Sequence, residues 1–173
     1  HGYKSNTEPW RYGDKVEGIV AQYLDLRYRM LPYIYSQNAE IFFSGSTLMR
    51  PLVMDFSNDR KALEQNHQFM FGPSLLVAPI VEENPAIWHV YLPENKGGWY
   101  DFFTGKKMHV SSGTIDIPVS LENIPVFVKA GTILPLAENG QHTGEVADVA
   151  WEIRIYQGAD GKFIVYEDEG TNN

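Results

Sequence analysis

The side chains able to do chemistry are few and scattered. His1 opens the stretch HGYKSNTEPWRYGD (residues 1–14), where His, Lys, Glu, Trp, Arg and Asp gather between glycine and proline residues. That is the composition of a binding loop. A neutral imidazole there can donate a hydrogen bond to a ligand hydroxyl. The carboxylates of interest are Asp55, Asp59, Asp101 and the run Glu167, Asp168 and Glu169. No two of them can be defended as a general acid/base pair. The last run reads as solvated acid at a hairpin end, with a calcium site as the weaker alternative. His67, His89, His109 and His142 lack zinc-like spacing, so no metal is expected. Phosphate-cradling glycine loops are absent, and GADG (residues 158–161) reads as a turn. Trp10, Trp88, Trp99 and Trp151 invite a sugar-stacking role. The last three lie in β-rich runs and are expected to fill a core, whereas Trp10 suits packing and ligand contact equally.

Composition removes several function classes. The 173 residues carry a net charge of −8, and no stretch gathers Lys and Arg into a stripe. A nucleic-acid partner would need such a footprint, because affinity for phosphate comes from counterion release. Without cysteine the chain can form neither disulfides nor a thiol nucleophile. That fits a reducing compartment without establishing one. The longest apolar run, Leu75 to Val81, is far short of the ~20 residues that span a bilayer as a helix, so no membrane partner is expected. At 43% hydrophobic the chain can bury a core, and the 13% aromatic content suits sheets and sugar-stacking surfaces alike.

The elements that must position these residues change character along the chain. Asp14 followed by Glu17 has the spacing of a capping box and starts a helical pattern. Val16, Ile19, Val20, Tyr23, Leu24 and Leu31 recur at three- and four-residue intervals, which predicts one buried face. Pro32 removes a backbone donor and should kink or restart the helix, which continues toward Phe43 and stops at Gly45. Ser46 to Phe56 (STLMRPLVMDF) predicts a strand covered on both faces. Ser57 then caps a short helix over residues 59–65. Loop, helix, strand, helix is the order of a parallel α/β unit.

From about Gln68 short β-rich runs alternate with Gly, Pro and Asn clusters, predicting an antiparallel sandwich or barrel. WYDFFTGKK (residues 99–107) has the pattern of a hairpin turning at Thr104 and Gly105. Residues 138–148 are polar and read as a linker or a long loop. Beyond them Ile153 and Ile155 alternate, Asp160 and Gly161 turn, and Phe163 and Val165 return, which predicts a second hairpin. An α/β unit too small to close a sheet and a lone terminal hairpin give the expectation that both ends are cut from a longer chain.

Leu26–Ser36 (LRYRMLPYIYS), Leu48–Phe56 (LMRPLVMDF), Gln68–Glu82 (QFMFGPSLLVAPIVE), Tyr91–Lys106 (YLPENKGGWYDFFTGK) and Ile124–Leu136 (IPVFVKAGTILPL) follow one another in order. Together they resemble the C-terminal part of glycoside hydrolase family 31, the family of α-glucosidases and α-xylosidases. Tyr156–Gly170 (YQGADGKFIVYEDEG) resembles the opening of that family's distal β-domain. The implied fold class is α/β followed by all-β: the last quarter of a (β/α)8 barrel, an antiparallel proximal β-sandwich, and the start of a second β-domain. Residues 1–66 would be the barrel end, 67–140 the proximal sandwich, and 141–173 the linker and distal β-domain. LMRPLVMDF would be the eighth barrel strand.

The resemblance also implies a function. Family members hydrolyse α-glycosides with retention, using two aspartates on earlier barrel strands, and neither aspartate matches a position here. Catalytic residues in this chain are therefore expected to be none. His1 matches the histidine of the family's Arg-x-His motif, without the arginine, and is the one substrate-binding residue implied. Asp55 matches a position with a fold-holding role. No cofactor is implied, and the partner is an oligosaccharide substrate with terminal α-linked glucose or xylose. A homo-oligomer is a further possibility, because a barrel quarter exposes apolar surface. The compartment stays open, a bacterial cytoplasm or periplasm being the expectation. The alternative is a non-catalytic carbohydrate-binding or structural β-sandwich module, against which residues 1–66 weigh.

Overall fold

A computed structural model describes residues 7–83, 85–110, 112–138, 140, 142–146 and 149–169. They form two compact units, one taking the chain through Ile34 together with Pro135–Ile153, the other Tyr35–Leu134 with Arg154 onward.

In the first unit a 3-10 turn, Pro9–Tyr12, leads into helix α1, Asp14–Arg29. The expected capping box is not formed. Gly13 holds the N-cap position at φ 87°, a region L-residues avoid, and Asp14 lies inside the helix. Asp14 and Glu17 act instead as anions in the first turn, where the helix dipole favours them. The apolar face is less covered than its periodicity implies: no α1 residue is fully buried, and Leu24 is 52% exposed. Arg29, in the last turn, donates to Glu152 at 2.6 Å and to the carbonyl of Ala137. A short helix α5, Thr143–Val146, lies in the same unit.

Pro32 has the effect expected of it. Helix α1 ends at Arg29, Met30 is its C-cap, and α2 restarts over Leu31–Ser44 with Pro32 in its first turn, where a missing N–H costs nothing. Gly45, at φ 71°, follows the end of α2.

The second unit is dominated by antiparallel sheet. Strands β1 (Met49–Pro51), β2 (Phe69–Phe71), β3 (Leu75–Val77), β7 (Val126–Lys129) and β5 (Trp99–Asp101) form one five-stranded sheet in the order β1-β2-β3-β7-β5. Every neighbouring pair is antiparallel. Strands β4 (Ile87–Leu92) and β6 (Gly113–Pro118) pair along their whole length, from Ile87 opposite Pro118 to Leu92 opposite Gly113. Side chains from both sheets meet in one core, including Met70, Leu76, Trp88, Val90, Leu92, Trp99 and Phe127. This is the sandwich arrangement the alternating runs predict. A further two-stranded sheet pairs β8, Ile133–Ala137, with β9, Trp151–Ile155.

Two expected elements come out differently. Residues 46–56 do not form one long strand closing a parallel sheet. Only Met49–Pro51 is extended, and it lies antiparallel to β2. The chain then turns into the short helix α3, Leu52–Asp55. Arg50 binds Asp55 at 2.8 and 2.9 Å, and an extended strand would hold those residues roughly 17 Å apart. Helix α4, Arg60–Leu63, comes next, capped by Asp59 and not by Ser57. The second correction concerns the terminal hairpin. Strand β9 forms, but residues 157–169 contain no strand. Tyr166 donates its N–H to Ser36 Oγ at 3.0 Å, and Tyr35 donates its hydroxyl to Asp168 at 2.7 Å, so α2 holds this segment through side chains.

Among the described residues no helix is long and apolar enough to cross a membrane.

Candidate functional site

His1 lies outside the described residues, so the site is built from the remaining candidate side chains. Trp10 is 64% exposed on its 3-10 turn, with Arg11 and Glu8 3.9 Å apart beside it. A tryptophan displayed this openly contributes little to the core of the described residues.

The carboxylates divide by what they hold. Asp55 takes a two-pronged grip from Arg50, and both side chains are more than four-fifths covered. Its role is structural, as expected. Lys129, from β7, lies 4.7 Å above the Phe56 ring. Burial pushes its ammonium below the ordinary lysine range and Arg50 adds to the effect, while Asp55 opposes both. Asp59 caps α4 by accepting from the backbone N–H of Lys61 and Ala62 at 3.0 and 3.3 Å. Its second oxygen accepts from the Tyr91 hydroxyl at 2.7 Å. Asp101 accepts from both the N–H and the hydroxyl of Thr104 at 2.7 Å, bracing the turn of the hairpin motif. Asp168 is bound by Tyr35. Each is occupied locally, and no two of them are brought together as an acid/base pair.

Tyr91 was not singled out by sequence, and its environment gives it a measurable signature. Burial, then the hydrogen bond and negative charge of Asp59, push its pKa from 10.0 up to about 12. The folded chain thus holds the phenolic proton more tightly than the unfolded chain does. The associated stability is complete below pH 10 and lost as pH rises through about 12. Alkaline unfolding of Tyr91→Phe is expected to lose this component of its pH dependence between those values. An unfolding titration with and without the substitution checks it. Gln68 is a second residue missed by sequence: its buried side-chain amide pairs with both backbone groups of Tyr91, donating to the carbonyl and accepting from the N–H.

The histidines and tryptophans are dispersed. His89 faces Asp116 across β4 and β6 at 2.7 Å, His142 lies 3.4 Å from Glu145, and the His67 ring packs by Trp88. Among the described residues no group of three or more His, Asp or Glu is arranged to hold a metal. Trp88 and Trp99 fill the core as expected, and Trp99 donates its indole N–H to the Pro93 carbonyl at 2.7 Å. Trp151 does not. It is half-buried and lines an open cleft of about 510 Å³ with Arg29, Glu138 and Glu152.

Residues 45–134 match the model of the "Glycosyl hydrolase family 31 C-terminal domain", and residues 1–37 match the "Glycosyl hydrolases family 31 TIM-barrel domain". The chain belongs to glycoside hydrolase family 31. Among family 31 relatives, the α-xylosidase of Saccharolobus solfataricus is 40% identical over 171 residues, covering 98% of this chain and 23% of that protein. Alpha-glucosidase 2 of Bacillus thermoamyloliquefaciens is 33% identical, covering 94% of this chain and 20% of its own length. In three dimensions the chain is similar to the Flavobacterium johnsoniae GH31 dextranase complexed with glucose. The TM-score is 0.88 at 35% identity, over 96% of this chain and 21% of that one. The chain therefore spans about a fifth of the length of the relatives it matches.

Proposed function

We propose that this chain is the C-terminal part of a retaining α-glycosidase that removes terminal α-linked glucose or xylose from oligosaccharides. The single observation that carries this reading is the pair of family 31 matches in chain order, barrel domain then C-terminal domain. The α-xylosidase and α-glucosidase relatives support the substrate range. Retention requires two carboxyl groups about 5 Å apart, one attacking the anomeric carbon while the other protonates the leaving oxygen. Asp55, Asp59 and Asp101 each hold a local partner instead. The resemblance to family 31 implies that both catalytic aspartates lie on earlier barrel strands and that His1 hydrogen-bonds the sugar.

In this reading residues 1–66 are the end of the barrel and 67–140 the proximal sandwich, a division supported by the order of the barrel and C-terminal family matches. Residues beyond about 140 lead toward a distal β-domain.

Purified as 173 residues, the chain is expected to give no turnover of p-nitrophenyl α-glucoside or α-xyloside above the uncatalysed rate. A longer protein carrying this sequence should release the sugar as its α-anomer, visible by NMR before mutarotation. Turnover by the 173 residues alone would overturn the placement of the catalytic pair, and release of the β-anomer would overturn retention.

A further inference from the structure

The segment after β9 is not used by the proposed chemistry, and it is held in two different ways along its length. It lies within the second unit, and residues 157–169 contain neither helix nor strand.

The first part is fixed through backbone. The N–H of Gly131 donates to the Tyr156 carbonyl at 2.6 Å, and the Tyr156 N–H donates to the Thr132 carbonyl at 2.9 Å. The Tyr100 hydroxyl donates to the Gln157 carbonyl at 2.9 Å, and the Tyr100 and Tyr156 rings meet edge to face at 5.4 Å. Just beyond, the chain passes Gly97 and Gly131 so closely that a Cβ on Gly97, Gly131 or Gly161 would collide with the facing backbone. Backbone packed at this distance separates only if the turns around it move as well.

The later part is fastened by side chains, and to a helix. The Tyr166 N–H donates to Ser36 Oγ at 3.0 Å, and the Tyr35 hydroxyl donates to Asp168 at 2.7 Å, both partners lying on α2. The Tyr166 ring is tilted against those of Tyr35 and Phe43, with centroids 5.8 and 6.1 Å away. A bond of this kind contributes about 1 kcal/mol net, because water offers a replacement when it breaks. No ladder of backbone bonds ties residues 162–165 to a neighbouring strand. Segments of that description open locally at a free energy well below that of the whole domain.

We propose that this segment is a strap with a fixed root, residues 156–161, and a releasable tip, residues 166–168. The tip lifts from α2 as a local unit while the root and the sheets stay closed. Lifting frees Tyr35, Ser36 and Phe43 from their partners in the tip, so the strap sets how tightly α2 is held from Tyr35 onward. The device does not depend on hydrolysis.

Native-state hydrogen exchange of the ¹⁵N-labelled 173-residue chain tests it. The Tyr166 amide should be protected, yet exchange at least about 100-fold faster than the amides of Gly131 and Tyr156 after correction for intrinsic rates. Tyr35→Phe removes the hydroxyl from Asp168 and keeps the ring. It should speed exchange at Tyr166 about fivefold and leave Gly131 and Tyr156 unchanged. Equal protection at Tyr166 and Tyr156 would make the segment one rigid piece and overturn the proposal. So would a Tyr166 amide with no protection, since the tip would then not be fastened. An effect of Tyr35→Phe that is absent at Tyr166, or equal at tip and root, would overturn it as well.

Discussion

Gly161→Ala is expected to lower the stability of the chain by more than about 3 kcal/mol, a large share of the 5–15 kcal/mol typical of a domain. A Cβ at this position would land on the carbonyl of Gly131. The same neighbourhood is crowded from the other side. A Cβ on Gly97, at φ 83°, would meet the Gly158 carbonyl and lie 2.7 Å from Ala130 Cβ, and one on Gly131 would lie 2.8 Å from the Asp160 carbonyl. Three loops thus approach backbone to backbone, and backbone cannot rotate aside as a side chain tip can. Gly18→Ala is the control. Nothing lies within 4 Å of a Cβ there, and the residue is mid-helix in α1, so that substitution should raise stability by about 0.5–1 kcal/mol. Urea unfolding of both variants measures the contrast. A Gly161→Ala midpoint within error of the parent would remove the close-approach argument.

Asp55→Ala should cost a comparable amount, about 3–5 kcal/mol, because it leaves a covered guanidinium without its counter-charge. The Arg50 and Asp55 side chains are only 13% and 17% exposed, so water does little to compensate. Lys129 compounds the loss, since Asp55 is the charge that favours its ammonium form. Replacing the pair together, as Arg50→Met with Asp55→Leu, is expected to recover most of the stability. A well-packed apolar pair of similar volume avoids the desolvation of both ions. Equilibrium unfolding of the two single variants and the double variant gives the coupling energy directly. Independent, additive losses would show that the two side chains do not act as a unit. The same measurement separates a fold-holding carboxylate from a catalytic one, because a catalytic group can be removed without this thermodynamic cost.

Much of the fold was legible because short-range physics decides it. Pro32 cannot sit mid-helix, so the break between α1 and α2 falls beside it. Alternation in residues 87–92 and 113–118 emerges as two paired strands. The hairpin turn at Thr104 and Gly105 was also readable, and an isolated bridge from Tyr100 to Lys107 closes it. Where local signals compete, the sequence misleads. Asp14 has the spacing of a capping residue, but the preceding glycine reaches a backbone conformation that puts it at the N-cap instead. Phe163 and Val165 alternate like a strand, but residues 158–161 pass close to Gly97 and Gly131, and Ser36 and Tyr35 hold Tyr166 and Asp168.

For the site, it was the family resemblance that implied a catalytic pair lying elsewhere and a fold-holding role for Asp55. Family membership was readable because it rests on ordered blocks of sequence, which need no coordinates. What only the tertiary structure decided are the partnerships between residues far apart in the chain. Gln68 and Asp59 both meet Tyr91, Lys129 meets Phe56, and Arg154, Tyr156 and Phe103 come to one cleft. Periodicity and capping act over a few residues and leave a mark in the sequence. Long-range contacts are fixed by sheet register and by how closely bare backbone can approach, and neither is written in any local run of residues.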